Sequence, residues 1–167
     1  MKIEVNKGKS GEYAICLEPN FENIVNALEP LEAGDRKICI VADSTTAGLY
    51  LESLKESLEG RCRQISEFVF PAGEEHKTLD TVRKLYEHLI LKKYDRKDLL
   101  VALGGGVVGD LTGFAAATYL RGIRFVQVPT TLLSQVDSSI GGKTGVDFDA
   151  YKNMVGAFHM PSLVYMN

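Results

Sequence analysis

A glycine-rich segment in the middle of the chain has a spacing that suits phosphate binding. Gly104, Gly106 and Gly109 form the pattern G-x-G-x-x-G directly after the apolar run 98–103. Glycines in such a turn allow positive φ and let the backbone approach a pyrophosphate at a helix N-terminus. The acid usually found about 20 residues later is missing, because Pro129 and Thr130 stand there. The pattern alone leaves two interpretations open: a dinucleotide site, or tight helix–strand packing without a ligand.

Acidic residues follow other apolar runs and could complete such a site. Asp43 follows the run 37–42, where it could accept hydrogen bonds from both ribose hydroxyls or simply cap the next helix. Asp110 is expected just inside the helix after the glycines, where a first-turn acid is favourable. Glu74 and Lys77 stand in a polar loop, and a solvated ion pair is the alternative to a binding role.

A polar set occupies the glycine-rich C-terminal third of the chain. A compact cluster of cations and hydrogen-bond donors would suit a phosphorylated, hydroxylated substrate, whereas scattered surface charges are the alternative. The three histidines show no metal-ligand spacing, so we assign no metal site to these residues. The set consists of Arg121, Asp137, Lys143, Lys152 and Asn153.

The elements that must position these residues alternate between strand and helix. This alternation predicts an α/β fold with a mostly parallel sheet, flanking helices and an N-terminal β-hairpin around the turn 7–11. The predicted strands are 2–6, 12–17, 37–42, 61–70, 98–103, 124–128 and 162–166, and the predicted helices are 21–29, the segment from 44 to Gly60, 78–93, 111–118 and 130–138.

Four loops leave the predicted strand ends with polar or glycine-rich sequence. Parallel α/β sheets bind ligands at the carboxyl ends of their strands. We therefore expect these loops to form one continuous site. They are 43–46, 71–77, 104–110 and 129–131.

The composition is that of an ordinary globular protein. The chain has 167 residues, a formal net charge of −3 and 45% hydrophobic residues, which excludes a disordered tail. No run approaches the roughly 18 apolar residues of a membrane span, and no basic cluster indicates nucleic-acid binding. Cys16, Cys39 and Cys62 lack disulfide or zinc spacing, and the N-terminus lacks a signal-peptide core, so we expect a cytoplasmic protein.

Long stretches of the chain resemble the 3-dehydroquinate synthase family. They are LGGGVVGDLTGFAAATYLRG, RFVQVPTTLLSQVDSSIGGKTGV and KNMVGAF, with PAGEEHK and DSTTAGLY earlier in the chain. The resemblance implies a Rossmann-like fold and a shikimate-pathway lyase. Such an enzyme converts 3-deoxy-arabino-heptulosonate 7-phosphate to 3-dehydroquinate and phosphate, using transient oxidation by bound NAD and a divalent metal, zinc or cobalt.

The resemblance also implies roles for individual residues. The implied NAD-binding residues are Asp43, Thr45, Glu74, Lys77, Gly105, Gly106, Val107, Asp110, Thr130, Thr131, Lys143 and Lys152. The implied substrate-binding residues are Arg121, Asp137, Lys143, Lys152 and Asn153, with Arg121 acting across a homodimer interface.

Members of this family are about twice as long as this chain, with metal ligands on a helical C-terminal domain. We therefore expect residues 1–167 to be an NAD-binding N-terminal domain, with the metal-binding domain absent from this chain and no synthase turnover by the chain alone. Two alternatives remain open at this point: a stand-alone dinucleotide-binding module, or a relative of the glycerol and iron-type alcohol dehydrogenases.

Overall fold

The computed structural model of the protein describes residues 1–6 and 12–167. A seven-stranded sheet in the order β1-β2-β9-β6-β5-β3-β4 forms its centre, and β7 and β8 form a separate two-stranded hairpin. The strands are β1 (Lys2–Asn6), β2 (Glu12–Leu17), β3 (Lys37–Asp43), β4 (Gln64–Phe70), β5 (Leu99–Gly104), β6 (Arg124–Pro129), β7 (Lys143–Phe148), β8 (Tyr151–Phe158) and β9 (Leu163–Met166).

The sheet is parallel except at its N-terminal edge. β1 pairs antiparallel with β2, from Lys2 opposite Cys16 to Asn6 opposite Glu12, and every other neighbouring pair in the sheet is parallel. This arrangement confirms the predicted Rossmann-like α/β class and the two strands of the N-terminal hairpin. The predicted hairpin turn at 7–11 lies outside the described residues.

Within residues 1–6 and 12–167, five α-helical segments flank the sheet. They are α1 (Ile24–Leu28), α2 (Ser44–Thr46), α3 (Glu52–Leu58), α4 (Leu79–Leu91) and α5 (Gly106–Thr118). A π-helical segment, Ala47–Leu51, joins α2 to α3, and a second one, Ser134–Ser138, follows β6. Short 3₁₀ turns cover Glu29–Leu31, Ala33–Asp35, Glu74–His76 and Tyr119–Arg121.

Both faces of the sheet are covered, which explains the apolar runs without alternation. In β3, Ile38 and Ile40 pack into the core beneath α1 and α3, while Cys39 and Val41 pack into the core beneath α4 and α5. A strand buried on both faces needs apolar residues at every position. The described part of the chain has no helix long and apolar enough to span a membrane, and all three cysteines are free thiols.

The segment after β5 differs from the prediction. We expected a loop over 104–110 and a helix over 111–118, but α5 begins at Gly106 and Gly105 is its N-cap. Asp110 is therefore the fifth residue of the helix and not a first-turn acid. Glycine has a poor intrinsic helix propensity, which misled the prediction, whereas in the fold these positions are fixed by tertiary packing.

The β7–β8 hairpin was not predicted. Its strands pair antiparallel from Lys143 opposite Phe158 to Phe148 opposite Tyr151, and β7 packs against α5. Gly145 and Gly156 face each other, and a Cβ atom on Gly156 would lie 2.3 Å from the carbonyl oxygen of Thr144. The glycines that indicated a loop are required by the close approach of the two strands.

The predicted helix 78–93 is confirmed as α4, with Thr78 as its cap. The Thr78 hydroxyl accepts a hydrogen bond from the Thr81 amide, and Val82 and Leu89 are buried. Ile90 is 62% exposed, although it follows the buried Leu89, because one residue rotates the side chain by about 100° around the helix. Leu79, in the first turn, is also exposed.

Candidate functional site

The loops at the carboxyl ends of the strands form one continuous edge. The Thr46 hydroxyl donates to the Leu103 carbonyl (3.0 Å), and the Ala72 amide donates to the Ser44 hydroxyl (3.0 Å). The Thr130 amide donates to the Gly104 carbonyl (3.0 Å). Loops that are far apart in the sequence are therefore in direct contact, as we expected from their positions at the carboxyl ends of parallel strands.

The strand order places a crevice between β3 and β5. The connection from β3 runs to β4 on one side, whereas the chain continues from β5 to β6 and β9 on the other side. Such a reversal of direction opens a crevice at the carboxyl ends, where α/β sheets bind their ligands. Asp43 and Gly105 follow the ends of the two strands that border this crevice.

The glycine segment approaches its neighbours closely without any left-handed residue. Gly104, Gly105, Gly106 and Gly109 all lack a positive φ, so that part of the expectation is wrong. A Cβ atom on Gly105 would lie 3.2 Å from the Thr131 methyl group, and one on Gly106 would lie 3.2 Å from the Ser138 hydroxyl. The absence of side chains keeps the N-terminus of α5 open, where unpaired amides suit an anion.

Part of the glycine pattern serves packing. A Cβ atom on Gly109 would lie 2.7 Å from the Gln127 amide oxygen, and one on Gly104 would meet Val108 at 2.5 Å. Each interpretation of the G-x-G-x-x-G segment therefore holds for some of its glycines. Gly104 and Gly109 permit helix–strand packing, whereas Gly105 and Gly106 line the open end of the helix.

Asp43 caps α2 with one of its two carboxylate oxygens. Its Oδ1 accepts hydrogen bonds from the amides of Thr45 (2.9 Å) and Thr46 (2.8 Å). Among the described residues, Oδ2 accepts none. The cap therefore does not exclude the second role that we considered, because one oxygen stays available for a ligand.

The two threonines after β6 differ in their partners. Thr131 exchanges hydrogen bonds with Ser134, including a 2.9 Å contact between the two hydroxyls. Thr130 holds a buried hydroxyl for which the described residues provide no partner. A buried polar atom without a partner is costly, so this hydroxyl fits a bound group that supplies a hydrogen bond.

Lys77 lies at the centre of a buried charge cluster. Its side chain is only 4% exposed, and its Nζ lies 2.8 Å from Asp110 Oδ2 and 2.6 Å from Asn153 Oδ1. The alternative of a solvated Glu74–Lys77 pair is therefore wrong, since Glu74 Oε1 is a more distant partner at 3.8 Å. The β7–β8 hairpin, which covers this loop, removes Lys77 from water.

Burial raises the pKa of the Asp110 carboxyl, and the Lys77 ammonium opposes the shift. Glu74 and Asp147 add to the increase by their negative charge. Lys152 Nζ lies 3.9 Å from Glu74 Oε1 and is exposed, so the cluster extends from a buried pair to the surface.

A cleft of about 450 Å³ lies beside this cluster, and three of the expected substrate residues, Asp137, Lys143 and Asn153, line it. It runs between α5, the π-helical segment and the β7–β8 hairpin. Its lining includes Asp110, Asp137, Lys143 and Asn153. Val107 and Thr45 stand closer to the strand ends, half-buried and exposed respectively.

Arg121 is the one expected site residue that the fold places elsewhere. It follows α5, whose 13 residues extend about 20 Å from the glycine segment toward the amino ends of the strands. Arg121 and Leu120 both have positive φ, and Arg121 is exposed. Within one chain this guanidinium is remote from the cleft.

The sequence reasoning missed two residues that organise the site. Asp147 accepts a hydrogen bond from the Asn153 amide (2.7 Å), and Ser134 fixes Thr131. Both lie in segments whose conformation depends on distant contacts, and no local pattern indicated them. Among the described residues, no group of three histidine, cysteine or carboxylate side chains could hold a metal ion.

The chain is similar to known proteins in both sequence and structure. The chain is 46% identical to a 3-dehydroquinate synthase of Acetivibrio thermocellus over all of its own length and 46% of the relative. It is structurally similar to 2-deoxy-scyllo-inosose synthase complexed with carbaglucose-6-phosphate, NAD⁺ and Co²⁺ (TM-score 0.92, 27% identity, 100% of this chain and 46% of that one).

A second solved structure extends the likeness. It is 2-epi-5-epi-valiolone synthase from Streptomyces hygroscopicus subsp. jinggangensis with NAD⁺ and Zn²⁺ bound (TM-score 0.82, 32% identity, 98% of this chain and 45% of that one). The chain spans about half the length of the curated relatives it matches. Residues 67–167 match the family model described as 3-dehydroquinate synthase N-terminal, and the chain therefore belongs to the 3-dehydroquinate synthase family.

Proposed function

We propose that residues 1–167 form the NAD-binding N-terminal domain of a 3-dehydroquinate synthase. The complete enzyme would convert 3-deoxy-arabino-heptulosonate 7-phosphate to 3-dehydroquinate and phosphate. The observation that carries the proposal is the convergence of Asp43, the Gly105–Gly106 turn, Thr130 and the Lys77–Asp110 pair on one sheet edge. The NAD⁺ in both solved relatives supports it.

Each part of this edge suits a different part of a dinucleotide. The open N-terminus of α5 would bind the pyrophosphate through its amides, since glycine at 105 and 106 allows close approach. The unpaired Oδ2 of Asp43 would accept from ribose hydroxyls, and the buried Thr130 hydroxyl would gain its missing partner. Lys77 would contribute a fixed positive charge beside the cofactor. The remaining proposed contacts are Thr45, Glu74, Val107, Asp110, Thr131, Lys143 and Lys152.

The neighbouring cleft suits a phosphorylated sugar acid. Lys143 supplies a cation for phosphate or carboxylate, while Asp137 and Asn153 supply acceptors and donors for hydroxyls. Lys152, which precedes Asn153 in β8 and is exposed, would add a second cation. A phosphorylated sugar analogue is bound in one of the solved relatives.

Bound NAD supplies a reversible hydride acceptor for the substrate, and this chain supplies position and charge. The divalent metal, zinc or cobalt, would be held by residues of a helical C-terminal domain, because the described residues offer no metal cluster. The enzyme class is a carbon–oxygen lyase that releases phosphate, and this chain alone would not turn over.

Arg121 supports the proposal of a homodimer. It is exposed at the sheet edge opposite the cleft, so it would reach a substrate phosphate only from another subunit. The three free thiols fit a reducing cytoplasm. We include no nucleic-acid or membrane partner in the proposal, because the net charge of −3 offers no basic surface.

Titration of the chain with NAD in a calorimeter tests the cofactor role. We expect saturable binding of one NAD per chain. Thr130→Val should weaken it about five- to tenfold by removing one hydrogen bond, without loss of stability, because the described residues give this hydroxyl no partner in the free protein. Thr112→Val is the matched control: its hydroxyl is also buried and unpartnered, but it lies in α5 beyond the turn. Absence of saturable NAD binding by the wild-type chain would contradict the proposal.

A further inference from the structure

We infer that Asp147 is a positioning residue of the cofactor site: it fixes Asn153, and through Asn153 the Lys77 ammonium. The inference rests on the proposed function, because it assigns the Lys77 cluster to NAD binding. Asp147 itself would contact neither cofactor nor substrate.

Asp147 joins the hairpin to the loop that carries Lys77. Its backbone amide donates to the Lys77 carbonyl (2.9 Å), and it forms an isolated parallel bridge with Thr78. Its side chain turns to the other strand of the hairpin, where Oδ1 accepts from the Asn153 amide (2.7 Å). One residue therefore binds the backbone of Lys77 and the backbone of Asn153, one of the two close partners of the buried ammonium.

The pairing of β7 with β8 is irregular at this residue. The register shifts between Val146 and Phe148, which leaves Asp147 without a regular partner in β8. Irregularities of this kind redirect a side chain and are common beside functional sites. Here the redirected carboxylate reaches a backbone amide six residues later in the chain.

Asn153 needs this support because its backbone is left-handed. Its φ is +55°, a left-handed conformation that asparagine adopts more readily than most residues, although at a cost that its surroundings must offset. In that conformation its Oδ1 accepts from Lys77 Nζ at 2.6 Å. Without the Asp147 acceptor, Asn153 can relax toward negative φ, and its side chain would leave the ammonium.

Loss of the hydrogen bond to Asn153 would change the position of the Lys77 ammonium. It is almost fully buried, and its remaining close partner is Asp110 at 2.8 Å. A buried ammonium with fewer partners moves toward solvent, since an unsatisfied charge is costly. Its position beside the cofactor would then be lost.

The test compares Asp147→Ala with Asp147→Asn by NAD calorimetry, thermal unfolding and NMR of the Lys77 ammonium. Asparagine keeps an oxygen acceptor and removes the charge. We expect Asp147→Ala to weaken NAD binding about tenfold and to lose the slowly exchanging ammonium signal of Lys77. Asp147→Asn should stay within about twofold of wild type and keep the signal. Asp149→Asn, which removes a negative charge from the exposed end of the same hairpin, is the control.

Two results would overturn the inference. One is a folded Asp147→Ala protein that binds NAD within about twofold of wild type; the other is Asp147→Asn losing as much affinity as Asp147→Ala. If Asp147→Ala does not fold, Asp147→Leu replaces it, because leucine has the shape of the side chain without the acceptor. If the wild-type chain binds no NAD, the proposed function fails, and the ammonium signal alone decides whether Asp147 positions Lys77.

Discussion

At the scale of single residues, the site depends on side chains that serve a neighbour with one atom and leave another atom available. Asp43 caps α2 through Oδ1 and keeps Oδ2 unpaired within the described part of the chain. Lys77 is held from two sides, by Asp110 and Asn153. The local structure thereby fixes groups that a ligand can use.

Substitutions of Asp43 should separate its two roles. Asparagine is as good an N-cap as aspartate, whereas alanine costs about 1 kcal/mol of stability. We expect Asp43→Asn to keep the free energy of unfolding and to weaken NAD binding about tenfold, because charge-assisted hydrogen bonds to the ribose are lost. Asp43→Ala should lower both the free energy of unfolding and the affinity for NAD. Denaturant unfolding and calorimetry measure the two effects, and unchanged NAD affinity in Asp43→Asn would contradict the ribose role.

His88 should make stability depend on pH. Burial lowers the pKa of its imidazole below the ordinary value of 6.5, and Lys92 adds to the shift. His88 lies in α4 and is partly buried, with Nε2 3.1 Å from the Ser66 hydroxyl. Because the unfolded state binds the proton more readily, the free energy of unfolding falls as pH decreases below 6.5, until the folded-state pKa is passed.

His88→Gln tests this pH dependence, since glutamine can still bond Ser66 but does not titrate. We expect a flatter stability profile between about pH 7.5 and 5.5 than in wild type. The measurement is denaturant unfolding at several pH values, with His76→Gln as the control that keeps the wild-type slope. An equal slope in His88→Gln and wild type would show that another group is responsible.

At the scale of elements, three parts of the fold form the candidate site. They are the N-terminus of α5, the carboxyl ends of the parallel strands and the irregular middle of the β7–β8 hairpin. The hairpin affects the electrostatics of the site, because it covers the 74–78 loop and brings Asn153 to Lys77. The π-helical segment Ser134–Ser138 holds Thr131 on one side and borders the cleft on the other.

A methyl group at the start of α5 should block the cofactor without harming the helix. We expect Gly106→Ala to keep the stability within about 1 kcal/mol, because alanine favours the helix, and to weaken NAD binding at least about tenfold. Gly48→Ala is the control, since Gly48 is helical with nothing within 4 Å of an added Cβ atom. The free energy of unfolding of Gly48→Ala should rise by up to about 1 kcal/mol, and its affinity for NAD should equal that of wild type. Equal NAD affinity in both variants would show that the turn does not bind the phosphates.

At the scale of the whole molecule, the sheet is covered on both faces, and the candidate site lies at the carboxyl ends of its parallel strands. The cores on the two faces share β3 and β5, so the loops at their ends are fixed by both. Among the described residues, no cluster of side chains could bind a metal ion.

We therefore predict that the chain alone releases no phosphate from 3-deoxy-arabino-heptulosonate 7-phosphate above background, with NAD and either Zn²⁺ or Co²⁺ present. The reason is that the metal would normally make the proton of the hydroxyl to be oxidised easier to lose. A phosphate-release assay measures this, with the full-length Acetivibrio thermocellus relative as the positive control. Steady turnover by the chain would contradict the prediction.

The seven strands of the main sheet, the caps at Asp43 and Thr78 and the end of the sheet that carries the candidate site were predictable, because they depend on local composition and on a general property of parallel sheets. Apolar runs without alternation require two covered faces, and loops after parallel strands must share an edge. The family resemblance rested on motifs of the same local kind.

The start of α5, the β7–β8 hairpin, the burial of Lys77 and the part played by Asp147 were decided only by tertiary structure. In each, a local preference is overridden by a contact between distant residues. Glycines enter α5 because side chains of other segments are close, and they enter the hairpin strands because the partner backbone is close. A loop lysine becomes buried because a hairpin some 70 residues later covers it. Propensity describes a residue and its nearest neighbours, whereas burial and charge pairing depend on which segments meet in space.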